Sequence, residues 1–114
     1  MMIERGAIYA MVENGTYTSK PRPVVVMQNP NVRLDSVIIA PLTSNDAHGE
    51  PIRIAVEPSP DNGLTKRSYV MCDKVTAIRA SSLNDEPIGR LPTATIKQIQ
   101  ETIYELIDEG VPLD

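Results

Sequence analysis

The order of patterns along the chain limits its fold more than any single motif does: short β-rich segments come first, and one helical stripe comes last. Ala7 to Val12 reads as a strand closed by Asn14-Gly15, a turn signal because both residues tolerate positive φ. Pro23 to Gln28 and Ser36 to Leu42 are continuous aliphatic runs, which suit central strands buried on both faces. Ile52 to Val56 alternates and reads as half-exposed, and Pro58-Ser59-Pro60-Asp61-Asn62-Gly63 breaks it. A long strand follows over Ser68 to Ile78 with a bend near Asp73, then a turn at Ala80 to Leu83 and a small strand at Ile88 to Leu91. From Thr93 to Glu109, Ile96, Ile99, Ile103, Leu106 and Ile107 recur at helical spacing, with Thr93 placed to cap and Gly110 to stop the helix. The expectation is a single α+β domain over residues 1–114, dominated by a strongly bent, barrel-like antiparallel sheet.

Composition narrows the chemistry. There is no Phe or Trp and only four Tyr, so aliphatic side chains must build the core and stacking surface for bases is scarce. A net charge of −4 argues against wrapping a long nucleic acid, although a short segment held at a few phosphates stays compatible with it. Seven of the eleven cations fall into two sequence groups, Lys20, Arg22 and Arg33, then Lys66, Arg67, Lys74 and Arg79. One Cys and one His cannot assemble a usual zinc site, and no metal or other cofactor is expected. Cys72, inside an apolar run, reads as a buried small residue and suits a reducing compartment. The start of the chain lacks a signal-peptide core and no run is long enough to span a bilayer, so a cytoplasmic, non-membrane protein is expected.

The chemistry-bearing residues concentrate at strand ends. Arg22 stands between Pro21 and Pro23, which fix their own φ and hold the residues before them extended, so the directions open to Arg22 are few. Pro23 and Pro41 should mark strand entries or edges. A guanidinium offers a rigid fork of donors to phosphate oxygens, and Thr43 and Ser44 add hydroxyl donors. Two readings stay open: a phosphate site, or an Arg22 neutralised by an acidic neighbour with Thr43 merely ending a strand. Asp73 is likewise either a proton-transfer group or half of an ion pair with Arg22 or Lys74. Histidine is the side-chain type whose unperturbed pKa lies near neutrality, which makes His48 a candidate base, but it lies in a loop composition.

Five segments in order, Arg5-Gly6-Ala7-Ile8-Tyr9, Arg22-Pro23-Val24-Val25-Val26, Pro41-Leu42-Thr43-Ser44, Gly63-Leu64-Thr65-Lys66-Arg67-Ser68-Tyr69-Val70 and Cys72-Asp73-Lys74-Val75, resemble the signature segments of MazF/PemK (Kid) toxins of type II toxin–antitoxin systems. The resemblance runs from about Glu4 to Glu109. It implies an SH3-like barrel of the CcdB/PemK type with a C-terminal helix, an obligate homodimer in the bacterial cytoplasm, and a metal-independent endoribonuclease that cuts single-stranded messenger, transfer or ribosomal RNA. The ends would be a 2′,3′-cyclic phosphate and a 5′-hydroxyl, and growth would stop. It also implies a cognate MazE-like antitoxin partner and, through it, operator DNA. By motif match Arg22 and Thr43 correspond to the family's catalytic Arg and Thr, and Asp73 to a carboxylate with an acid/base role in one branch. Lys20, Ser44, Tyr17 and Tyr69 are the candidate RNA contacts.

The chain departs from the pattern in three places. Ala7 replaces a common Asp, the hairpin Glu13 to Lys20 is shorter than usual and lacks the Gly-Ser-Glu-Gln run whose glutamate is catalytic in some members, and Met71 stands where the PemK branch carries a catalytic arginine. Two other functions therefore stand beside the ribonuclease: a CcdB-like gyrase poison without nuclease activity, and a degenerate paralogue that only binds an antitoxin. The tail Val111-Pro112-Leu113-Asp114 does not reproduce the aromatic end through which the gyrase poisons act.

Overall fold

The computed structural model describes residues 3–11, 22–45, 52–84 and 86–110. Its strands are β1 (Ala7–Met11), β2 (Arg22–Val26), β3 (Ser36–Thr43), β4 (Arg53–Val56), β5 (Ser68–Met71), β6 (Thr76–Arg79) and β7 (Gly89–Arg90), followed by the helix α1 (Thr93–Ile107). All pairings are antiparallel, in the order β4-β5-β3-β2-β1-β7 with β6 also on β3. The strand expected over Ser68 to Ile78 is two strands, because a 3-10 turn at Cys72–Lys74 interrupts it at the anticipated bend. That turn curls the sheet. One side of the eight-residue β3 is taken first by β6, up to Ile39 opposite Thr76, and then by β5, from Leu42 opposite Val70.

Pro41 is not at an entry or edge, as expected, but inside β3. The Met27 amide donates to the Ile38 carbonyl at 2.9 Å, so the hydrogen-bonded positions facing β2 are Ile38, Ala40 and Leu42. The nitrogen of Pro41 therefore faces the other side, in the gap where β6 has ended and β5 has not begun. No ladder bond is lost there, which is why an interior proline is tolerated.

Side-chain alternation splits the core in two. On one face Ile8, Val25, Ala40, Leu42, Ile54 and Val70 meet Ile96 and Ile99 of α1, with Ile103 and Leu106 packed at the margin. On the other, Ala7, Tyr9, Val24, Val26, Val37 and Ile39 cluster with Leu83. The continuous aliphatic runs are thus explained: Val24 to Val26 of β2 and Val37, Ile39, Ala40 and Leu42 of β3 are buried alternately on the two faces, while Ile38 is left 44% exposed. Two details of the helix differ from expectation. Pro92 rather than Thr93 occupies the N-cap, with no side-chain cap, and the helix stops at Ile107. Ile107 shares the helical angle of Ile96 and Ile103 yet is 77% exposed, so the last turn runs past the surface it would pack on.

The expected turn after β4 is built by Asn62, whose Oδ1 accepts the Ser59 and Leu64 amides at 3.0 Å each while Nδ2 donates to the Glu57 carbonyl at 2.8 Å. Gly63 there has φ +69°, and a Cβ on Gly89 would lie 2.3 Å from the Asn62 carbonyl carbon, so this loop packs directly on β7.

Candidate nucleic-acid interface

Strand register decides which chemistry-bearing residues meet. Met11 of β1 lies opposite Arg22 of β2, and Val24 lies opposite Pro41. Continuing the β2–β3 register by two residues sets Arg22 across from Thr43, which is itself opposite Tyr69 of β5, and Tyr69 is opposite Ala55 of β4. Met11, Arg22, Thr43, Tyr69 and Ala55 thus form one transverse row. Because residues at one register position project to one face, this row lies on the face turned away from α1, with Met11 packed against the margin of the second apolar cluster. Cross-strand neighbours have Cα atoms roughly 5 Å apart, within reach of a common phosphate.

Arg22 is exposed, and the ion pairs among the described residues are Arg53–Asp73, Arg67–Glu57 and Arg90–Glu4, none of which involves it. The reading in which an acidic neighbour neutralises Arg22 therefore finds no support among the described residues. Thr43 is half-buried, and its Oγ1 accepts the Asn45 amide at 3.1 Å. That bond orients the side chain and leaves the hydroxyl proton to donate outward. Ser44 follows as an exposed residue of the bend. An exposed guanidinium and an oriented hydroxyl on adjacent strands present hydrogen-bond donors on the same face of the sheet.

The other candidates are placed differently. Tyr69 is only 9% exposed, its ring packed into the face with the Arg67 guanidinium 5.6 Å from its centroid, so the guanidinium rather than the ring is what faces outward. Asp73 is not within a strand but in the 3-10 turn after β5, where its Oδ1 accepts from Arg53 Nε at 3.4 Å rather than from Arg22 or Lys74. Cys72 is buried, as expected. Burial first, then the neighbouring Asp73 carboxylate, pushes its thiol up to about 11, so it stays protonated at neutral pH. Arg33 does not join Arg22: it lies beyond the far end of β2, and the strand's four steps from Arg22 to Val26 alone span roughly 13 Å. Tyr17, Lys20 and His48 lie outside the described residues.

Arg53 is the residue that sequence reasoning missed. It is the cross-strand partner of Met71, and it shares the face of Arg22 and Thr43. Its only signal in the sequence is the alternation Ile52-Arg53-Ile54-Ala55-Val56, which sets it opposite in face to Ile54.

A family model described as a PemK-like, MazF-like toxin of type II toxin–antitoxin systems matches residues 4–107. The chain belongs to this toxin family. Among curated proteins the toxin is 42% identical over 92 residues to "Probable endoribonuclease MazF" of Mycolicibacterium smegmatis, covering 78% of this chain and 82% of that one. Among solved structures the toxin superposes on Mycobacterium tuberculosis toxin MazF-mt6 with a TM-score of 0.70 at 26% identity, covering 86% of this chain and 92% of that one. It has the fold of an endoribonuclease from a mycobacterial species solved with its cognate antitoxin, at a TM-score of 0.70 and 22% identity, over 99% and 98% of the two chains. The curled antiparallel half-barrel with one C-terminal helix is thus the MazF architecture, and the barrel-like expectation holds. No helix among the described residues is long and apolar enough to cross a membrane.

Proposed function

We propose that this toxin is an endoribonuclease that cleaves single-stranded RNA at short recognition sequences through attack of a 2′-hydroxyl on the adjacent phosphorus, leaving a 2′,3′-cyclic phosphate and a 5′-hydroxyl. The observation that carries the reading is the row in which Arg22, with no carboxylate partner among the described residues, stands across from the oriented Thr43 hydroxyl. As the 2′-oxygen adds, negative charge grows on the non-bridging oxygens. Arg22 and Thr43 supply donors at that point, each such donor contributing about 3 kcal/mol to the transition state. Lys20, Tyr17 and Ser44 are the accompanying RNA contacts of this reading, Tyr69 offering only its rim beneath the Arg67 guanidinium, with Asp73 at the edge of the site. The similarity to a curated MazF endoribonuclease supports the same reaction class.

The toxin acts as a homodimer in the bacterial cytoplasm, and a cognate MazE-like antitoxin inhibits it by laying a disordered segment over the RNA face. The solved relative with its antitoxin supports that partnership. The test is to induce the toxin without antitoxin and sequence the 5′-hydroxyl ends that appear, with folded Arg22→Ala and Thr43→Ala proteins as controls. New ends at a shared short sequence, lost in both variants, are expected. Intact RNA with gyrase-dependent DNA breaks, or undiminished cleavage by Arg22→Ala, would remove the proposal.

A further inference from the structure

Arg53 is held in a way that the other paired arginines are not. Arg67 and Arg90 meet Glu57 and Glu4 through Nη1 at 2.7 and 3.0 Å, and all four side chains are more than half exposed. Arg53 instead touches Asp73 only through Nε, at 3.4 Å, and its side chain is 13% exposed. Nothing else among the described residues pairs with it, yet no buried side-chain nitrogen there lacks a partner, so Nη1 and Nη2 reach the surface. The stem is immobilised while four of the five guanidinium donors remain unused. The single contact through Nε orients the group and leaves the fork itself unengaged.

The face and register give those donors a direction. Arg53 and Met71 form the row next to the one carrying Ala55, Tyr69 and Thr43, on the same side of the sheet. Two residues along the strand and two strand spacings across put Arg53 about 12 Å from Thr43 between Cα atoms. A single phosphate cannot reach both. A strand whose scissile phosphate sits on Arg22 and Thr43 and which runs toward β4 brings a neighbouring phosphate to Arg53, with the intervening nucleotide crossing Met71 and the rim of Tyr69.

We propose that Arg53 is a second phosphate-binding guanidinium of this toxin, oriented by Asp73 and gripping the RNA backbone beside the scissile position. This makes Asp73 a positioning residue that acts through Arg53. The inference rests on the ribonuclease reading, and the experiment separates the two. A fluorescent, fully 2′-O-methylated single-stranded RNA of mixed sequence, which cannot be cut, is titrated into wild type, Arg53→Gln and Arg53→Lys across a series of salt concentrations. Gln keeps the buried stem and removes the charge; Lys keeps the charge; thermal melts check that both variants fold. Arg53→Gln is expected to weaken binding roughly tenfold and to flatten the slope of log K against log salt by about 0.7, the contribution of one phosphate contact on a single strand, whereas Arg53→Lys keeps the wild-type slope. Wild-type binding with an unchanged slope in Arg53→Gln would overturn this inference alone, because a merely structural pair does not release counterions. Absence of any wild-type binding would overturn the ribonuclease reading and this inference with it.

Discussion

The two faces of the sheet are made from the same strands, one residue out of phase, and they meet opposite fates. On the helix side Ile8, Val25, Leu42, Ile54 and Val70 are sealed under Ile96 and Ile99. On the other side the apolar cover of Tyr9, Val24, Val26 and Ile39 ends where Arg22, Thr43 and Arg53 begin. Both faces carry buried apolar clusters, and the polar chemistry is confined to one end of the second. The separation means that altering one should leave the other nearly intact, because side chains of opposite parity do not share neighbours.

The strongest way to break that separation is Ile99→Ala. Ile99 is 0% exposed, and its truncation should cost roughly 2–5 kcal/mol, read as a fall in melting temperature, with cleavage per folded molecule unchanged. Arg22→Ala should do the reverse, and a large loss of stability in that variant would show that the faces are coupled after all. Next comes an alkaline limb from Cys72, on the helix side. The thiol is neutral in both states below its ordinary value of 9.0, but between there and about 11 the unfolded chain ionises while the folded chain resists. Stability should therefore fall as pH rises through that window, and denaturant melts of Cys72→Ala should show the fall reduced. The smallest effect belongs to the helix end: Ile107→Ser should change stability by no more than about 0.5 kcal/mol, since the side chain is 77% exposed. A larger loss in denaturant melts would mean that the last turn is covered in solution.

What was legible in the sequence follows from how local each signal is. The strands announce themselves through valine and isoleucine runs, α1 through its stripe, and the bend at Cys72–Lys74 through an acidic residue in an apolar run. Arg22 and Thr43 were recognisable because each lies at a strand end beside a proline motif. Arg53 was not, because its membership of the same face depends on three successive strand pairings among residues far apart in the chain. Grouping Arg22 with Arg33 failed for the related reason that nearness along a strand is distance in space. Thr93 was displaced from the cap because Pro92 already holds the extended φ and ψ of the N-cap, −62° and 152°.

The strand order also governs the protein's behaviour while it is being made. Ala7 pairs with Arg90, and the core on the helix face of β1, β2 and β3 is completed by Leu91, Ile96 and Ile99. A nascent chain that has already left the ribosome with every member of the Arg22 row still lacks the strand and the helix that close the sheet around it. A chain cut short by failed translation would thus carry the site residues without the fold that holds them in register, and its exposed valine runs would make it a substrate for proteolysis rather than a toxin.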